Sequence, residues 1–145
     1  MFAIRLIVSI LILAAGQSSL LRAVAADTVS REERARLDTE MAELPAALRA
    51  RFDQSYREWR KTWERSDILV SSNAKAVRSS EEFRSLVSLG PRILPLVVDK
   101  LLQPEEFFAL QIYDVLQDRP ELRDEHSEAG EQQRALATAH RWLSR

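Results

Sequence analysis

Residues 80–117 read SEEFRSLVSLGPRILPLVVDKLLQPEEFFALQIYDVLQ, and how this stretch is divided decides the fold. Gly90-Pro91 and Gln103-Pro104 cut it into three apolar-rich segments. Glycine turns the chain where other residues are strained, proline blocks continuation of a preceding helix, and proline is tolerated in the first turn of the next. Three helices joined by two corners are therefore predicted. The first is expected to open on a Ser79/Glu82 capping box, with Phe83, Leu86, Val87 and Leu89 apolar behind it. The second carries Ile93, Leu94, Leu96, Val97, Val98, Leu101 and Leu102, which leaves few polar positions and predicts the most buried element of the chain. Pro95 allows a start near Arg92 or a kink at itself. The third is expected to begin at Gln103-Pro104-Glu105-Glu106, with its two carboxylates at the positive end of the helix dipole and a stripe of Phe108, Ile112 and Val115.

The rest of the chain is read in support of this centre. The 145 residues include 46% hydrophobic and 30% charged side chains but only three glycines, a balance that favours one all-α domain. A compact bundle of about five to six helices is expected, occupying residues 27–145. Twenty-one bases against 22 acids give no field that selects nucleic acid. The lack of cysteine excludes disulfides, thiolate metal sites and cysteine nucleophiles.

At the N-terminus, Arg5, the apolar run over residues 6–15 and the small residues Ala23, Val24, Ala25 and Ala26 have the three-part form of a secretory signal. Cleavage after Ala25 or Ala26 is expected, giving an exported protein. Gly16, Gln17, Ser18, Ser19 and Arg22 break the run short of the roughly 20 apolar residues a spanning helix needs. A membrane tether through an uncleaved N-terminal segment is the competing reading.

Ser30 and Glu33 have capping-box spacing, and Leu37, Met41, Leu44 and Leu48 share one helical face until Pro45 interrupts it. Phe52, Tyr56, Trp59 and Trp63 repeat the same spacing on a second helix. This aromatic stripe is first of all core, since buried aromatics dominate core energetics. As a second reading, Trp59 and Trp63 form a ligand platform beside carboxylates, the form a small carbohydrate-binding protein or hydrolase would take. Next, Ile68-Leu69-Val70 predicts a short extended strap, and Ser71, Ser72 and Asn73 a turn whose hydroxyls and amide are candidate binding groups. No glycine or histidine accompanies them to make a phosphate cradle or a nucleophile.

C-terminal to the central stretch, Asp118-Arg119-Pro120 ends the hairpin, and a polar run to Gly130 contains His126 among Asp124, Glu125 and Glu128. His126 is the metal candidate by residue type, but its spacing matches neither a zinc-protease helix nor a di-iron bundle, so no metal and no cofactor are expected. Asp114 and Asp118, four apart, would share a helical face, with Lys100 or Arg119 neutralising them. A last amphipathic helix is expected from Glu131, with Gln132, Leu136, His140 and Leu143 along its apolar face and Ala135, Ala139 and Trp142 beside them.

The phrase Leu86-Val87-x-Leu89-Gly90-x-x-Ile93-Leu94-Pro95-Leu96-Val97-x-x-x-Leu101, followed by Phe108-Ala109-Leu110 and Leu116, resembles a HEAT-type unit over 38 residues. The wider stretch from Trp59, through Ser71-Ser72-Asn73, to Tyr113-Asp114-x-Leu116-Gln117 resembles small exported bacterial proteins with no assigned activity. The HEAT resemblance implies a stacked helix pair and a surface that binds another protein. Because stacked repeats normally come in threes or more, a single unit requires flanking helices as lids. Function is therefore expected on surfaces around the hairpin, above all the 66–79 loop and the polar run 118–130.

Overall fold

The computed structural model describes residues 29–63, 78, 80–123 and 130–145. Six α-helices occur among them: α1 (Arg31–Glu43), α2 (Ala46–Thr62), α3 (Glu81–Val87), α4 (Leu94–Leu101), α5 (Leu110–Leu116) and α6 (Glu131–Leu143). Single 3-10 turns at Pro91–Ile93, Phe107–Ala109 and Pro120–Leu122 make the corners, and no strand occurs among the described residues. The all-α bundle predicted from composition and periodicity is the observed architecture. Residues 1–26, read from sequence as a signal, and Ile68-Leu69-Val70, Ser71, Ser72, Asn73 and His126 lie outside the described residues.

The local signals explain most boundaries. α1 opens on the reciprocal capping box, with the Glu33 N–H donating to Ser30 Oγ at 3.1 Å and the Ser30 N–H donating to Glu33 Oε2 at 2.9 Å. These bonds, the backbone one foremost, hold the Glu33 carboxyl below its ordinary range. Leu44 ends α1 in an extended conformation because Pro45 follows, and α2 starts immediately afterwards. α3 is capped by the Ser80 hydroxyl, which accepts from the Phe83 N–H at 3.1 Å, so the cap lies one residue beyond the expected Ser79. Gly90 turns the chain with φ 80° and ψ 177°, a mirror-extended conformation that a side chain strains.

α4 is the hub. Leu96, Val97, Val98 and Leu101 are buried, with Ile93 before them, and the helix packs against α1, α5, α6 and the Phe107–Ala109 turn. α2 instead packs chiefly on α3, burying Phe52, Tyr56 and Trp59 against Phe83 and Leu86 in the one continuous core. α6 contributes the small residues Ala135, Thr138 and Ala139 together with Trp142 and Leu143, which lets it approach α4 closely. Its buried face is rotated from the predicted one, so Leu136 and His140 lie on its flank, half-buried.

Two further expectations are corrected. The helix after Gln103-Pro104 begins later, at the Phe107–Ala109 turn and then α5, because Glu105 has φ 66° and cannot sit in a helix. Its N–H donates to Gln132 Oε1 of α6 at 3.1 Å, and Glu106 is drawn away from the helix end towards Tyr56 and Arg60. With that later start, the buried face of α5 is Leu110, Ile112, Tyr113 and Leu116, and Val115 is 50% exposed.

Candidate functional site

The aromatic helix comes first among the candidates. Trp59 is 0% exposed, with its ring 5.7 Å from Tyr56, 5.9 Å from Trp63 and 5.9 Å from Phe83. It belongs to the core and has no face open to a ligand, which corrects its place among the binding residues. Trp63 is half-buried, 4.5 Å from Phe108, and Arg60 covers the Phe108 ring at 4.2 Å. The indole nitrogens of Trp59 and Trp63 are both buried without a hydrogen-bond partner among the described residues, so neither N–H is presented outward.

Next to this stripe, the Tyr56 hydroxyl donates to Glu106 Oε2 at 2.5 Å, and Arg60 pairs with the same oxygen at 3.3 Å. Burial, and then the Glu106 carboxylate, push the Tyr56 phenol far above its ordinary range. This is a neutral phenol locked as a donor, and it ties α2 to the Gln103–Glu106 corner. Asp114 pairs with Arg134 of α6 at 2.8 Å. Asp118 lies beyond the end of α5, so the predicted paired-carboxylate face does not form, and neither Lys100 nor Arg119 pairs with Asp114.

An open groove of about 330 Å³ lies at the other end of the hairpin, where four distant segments meet. The Gly90 corner supplies Pro91, Arg92, Leu94 and Pro95 as one wall. The chain leaving α5 supplies Gln117, Asp118, Arg119 and Leu122 as the other. The end of α6 adds Trp142 and Arg145, and α1 adds Glu40. Leu122 and Trp142 line the groove but are nearly buried, and the Arg145 guanidinium covers the Trp142 ring. No hydroxyl, thiol or imidazole occurs among the described lining residues, so the groove offers shape and charge.

A buried polar network fixes the second wall. Tyr113, fully buried, donates its hydroxyl to the Leu122 carbonyl at 2.9 Å and accepts from Gln117 Nε2 at 3.2 Å. The Oε1 of Gln117 accepts from the Arg119 N–H at 3.1 Å, and its carbonyl accepts from the Arg123 guanidinium. Arg141 in turn reaches the Arg123 carbonyl at 2.6 Å. The amide of Gln117 is thus satisfied at both ends, the condition under which a buried polar network rigidifies a segment. Burial pushes the Tyr113 phenol above its ordinary range, keeping it a donor.

Most charges on the groove are already engaged. Arg145 stacks on the Trp142 ring at 3.3 Å, pairs with Glu40 at 2.8 Å and donates to the Trp142 carbonyl at 2.9 Å. Arg119 pairs with Glu121 at 2.8 Å. Arg92 and Asp118 are exposed and have no ion pair among the described residues.

Of the residues proposed from sequence, Trp59 and Trp63 lie together, away from the groove lining. The groove takes Asp118, Arg119 and Leu122 from the polar run flagged in the sequence, whereas Arg92, Trp142 and Arg145 carried no signal of a site. Among the described residues, no group of three or more His, Asp or Glu side chains is placed to hold a metal ion, and no helix is long and apolar enough to cross a membrane. Compared with known proteins, the chain matches no family model, no curated protein and no solved structure.

Proposed function

We propose that this chain is an exported helical module that binds another protein, with the groove between the Gly90 corner and the 117–122 segment as its docking site. The observation that carries the reading is the groove itself: an open cleft with a charged rim and one side held by the Tyr113–Gln117 network. A preformed wall lowers the ordering cost that association otherwise meets. The HEAT-like pattern over α3, α4 and α5 supports the reading, with α2 and α6 as the lids that a single unit requires. Export rests on the signal-like residues 1–26, and an intact mass lacking the first 25 or 26 residues is the expected result for the exported form.

The docking site is tested with Asp118→Trp, an exposed position outside every helix, where an indole would fill the groove. Wild-type chain should retain a partner through washing of the exported fraction of the producing cell, and Asp118→Trp should lose it with an unchanged circular dichroism spectrum. Equal retention by both proteins would contradict the site.

A further inference from the structure

α1 is held less by apolar burial than the other helices of the bundle. Of its 13 residues only Leu37 is buried, whereas the 8-residue α4 on which it chiefly packs buries Leu96, Val97, Val98 and Leu101. Met41 and Leu44 add partly buried contacts. The rest of its hold is polar. Arg34 pairs with Asp99 of α4 at 2.7 Å, and Gln103 Nε2 donates to the other oxygen of that carboxylate at 3.0 Å. Glu40 pairs with Arg145 at 2.8 Å, and the Ser144 hydroxyl donates to Glu33 Oε1 at 3.4 Å.

The joint to α2 lets α1 turn as a unit. Leu44 has ψ 142° and Pro45 ψ 134°, both outside the helical range. The Leu44 N–H bonds back to the Met41 carbonyl, and the Pro45 carbonyl accepts from Leu48 and Arg49, so the backbone bonds of each helix stop at the joint. At the far side of the strap, Glu40 lines the groove and holds Arg145, whose guanidinium lies 3.3 Å over the Trp142 ring. We propose that α1 is a releasable strap: it swings out about Leu44-Pro45 while the rest of the bundle stays folded, withdrawing Glu40 from Arg145 and uncovering Trp142 in the groove. Segments with few buried apolar contacts open at a lower cost than global unfolding. The ion pairs that close the strap are partly exposed, so they weaken as salt rises, and ionic strength controls the opening. The strap sets access to the groove whatever occupies it, so it stands or falls apart from the docking site.

The test reads two signals on the full chain by mass spectrometry, amide hydrogen exchange along the helices and hydroxyl-radical labelling at Trp142, at about 0.05 M and about 0.5 M sodium chloride. Amides of α1 should exchange at least about tenfold faster than those of α4, and at high salt α1 exchange and Trp142 labelling should rise together. Asp99→Asn leaves the sequence of α1 intact and lies outside the groove lining. It should nevertheless raise both signals about threefold, the worth of one such ion pair, with α4 exchange unchanged. Glu40→Gln should do the same. If Glu40→Gln raises Trp142 labelling and Asp99→Asn does not, Arg145 responds only to its own partner and the strap is overturned. Exchange in α1 no faster than in α4, or no response of α1 to salt, would overturn it as well.

Discussion

The aromatic face of α2 and the groove are built from the same kinds of residue, tryptophan beside arginine, and they do opposite things. In α2, Trp59 is enclosed by Tyr56, Trp63 and Phe83, and the nearby Arg60 covers Phe108 and pairs with Glu106. In the groove, Trp142 is packed from below while Arg145 stacks on its ring at the rim of an open cleft. Residue type is common to both. What separates them is whether a second helix covers the outer side: α3 lies over the α2 stripe, whereas the groove lies where four segments approach without closing. An aromatic and an arginine close in sequence therefore identify neither a core nor a site until the covering element is known.

The sharpest way to break this contrast is Trp59→Ala. Removing a fully buried indole should cost about 3–5 kcal/mol in chemical denaturation, a large share of the roughly 5–15 kcal/mol that stabilises an ordinary domain. A loss below about 1 kcal/mol would show that the stripe is not core.

A smaller effect touches both regions through pH. Tyr56 and Tyr113 hold their phenol protons more tightly folded than unfolded, so their contribution is intact at neutral pH. It is lost as pH rises above about 10, where the unfolded chain ionises its tyrosines. Alkaline titration should unfold the wild type progressively above that pH, and Tyr56→Phe should flatten the dependence. An unaltered alkaline limb in Tyr56→Phe would mean that its phenol is not held neutral by the fold.

The smallest expected effect belongs to the groove. Asp118→Trp should change stability by no more than about 0.5 kcal/mol, as is usual at an exposed position away from caps and core. A larger loss would place Asp118 in the structural framework instead of on a binding surface.

The helical frame was legible because its signals are local. Ser30 and Glu33 form their box, Pro45 breaks the chain and Gly90 turns it, each through geometry confined to a few neighbouring residues. The failures share one cause, tertiary contacts that outweigh local preference. Glu105 and Glu106 have the composition of a helix start, yet one is bonded to Gln132 and the other to Tyr56, 27 and 50 residues away. Ser79 and Ser80 are equivalent as residue types, and only the geometry chooses Ser80 as the cap. In α6 Ala135 and Ala139, expected beside the stripe, carry the burial while Leu136 and His140 sit half-buried on the flank, because close packing on α4 favours small residues over large ones.

The groove was legible only in part for the same reason. The end of the hairpin at Asp118-Arg119-Pro120 marked a place where polar residues leave the core. Nothing local connects Arg92, Gln117 and Arg145, which are far apart in sequence and share no periodicity. Gln117 is the most instructive residue missed. As a glutamine after a helix it looks solvated, yet it is 2% exposed and joins Tyr113 to Arg119 and Arg123.

The most direct test of the groove as the working surface is site-specific photocrosslinking in the cell that produces the protein. A photoreactive phenylalanine derivative at position 118 reports on the groove, and the same group at exposed Arg57 reports on the outer face of α2. The account predicts one discrete protein adduct from position 118, competed by excess unlabelled wild-type chain, and none from position 57. An adduct from position 57 alone, or no adduct from 118, would contradict it.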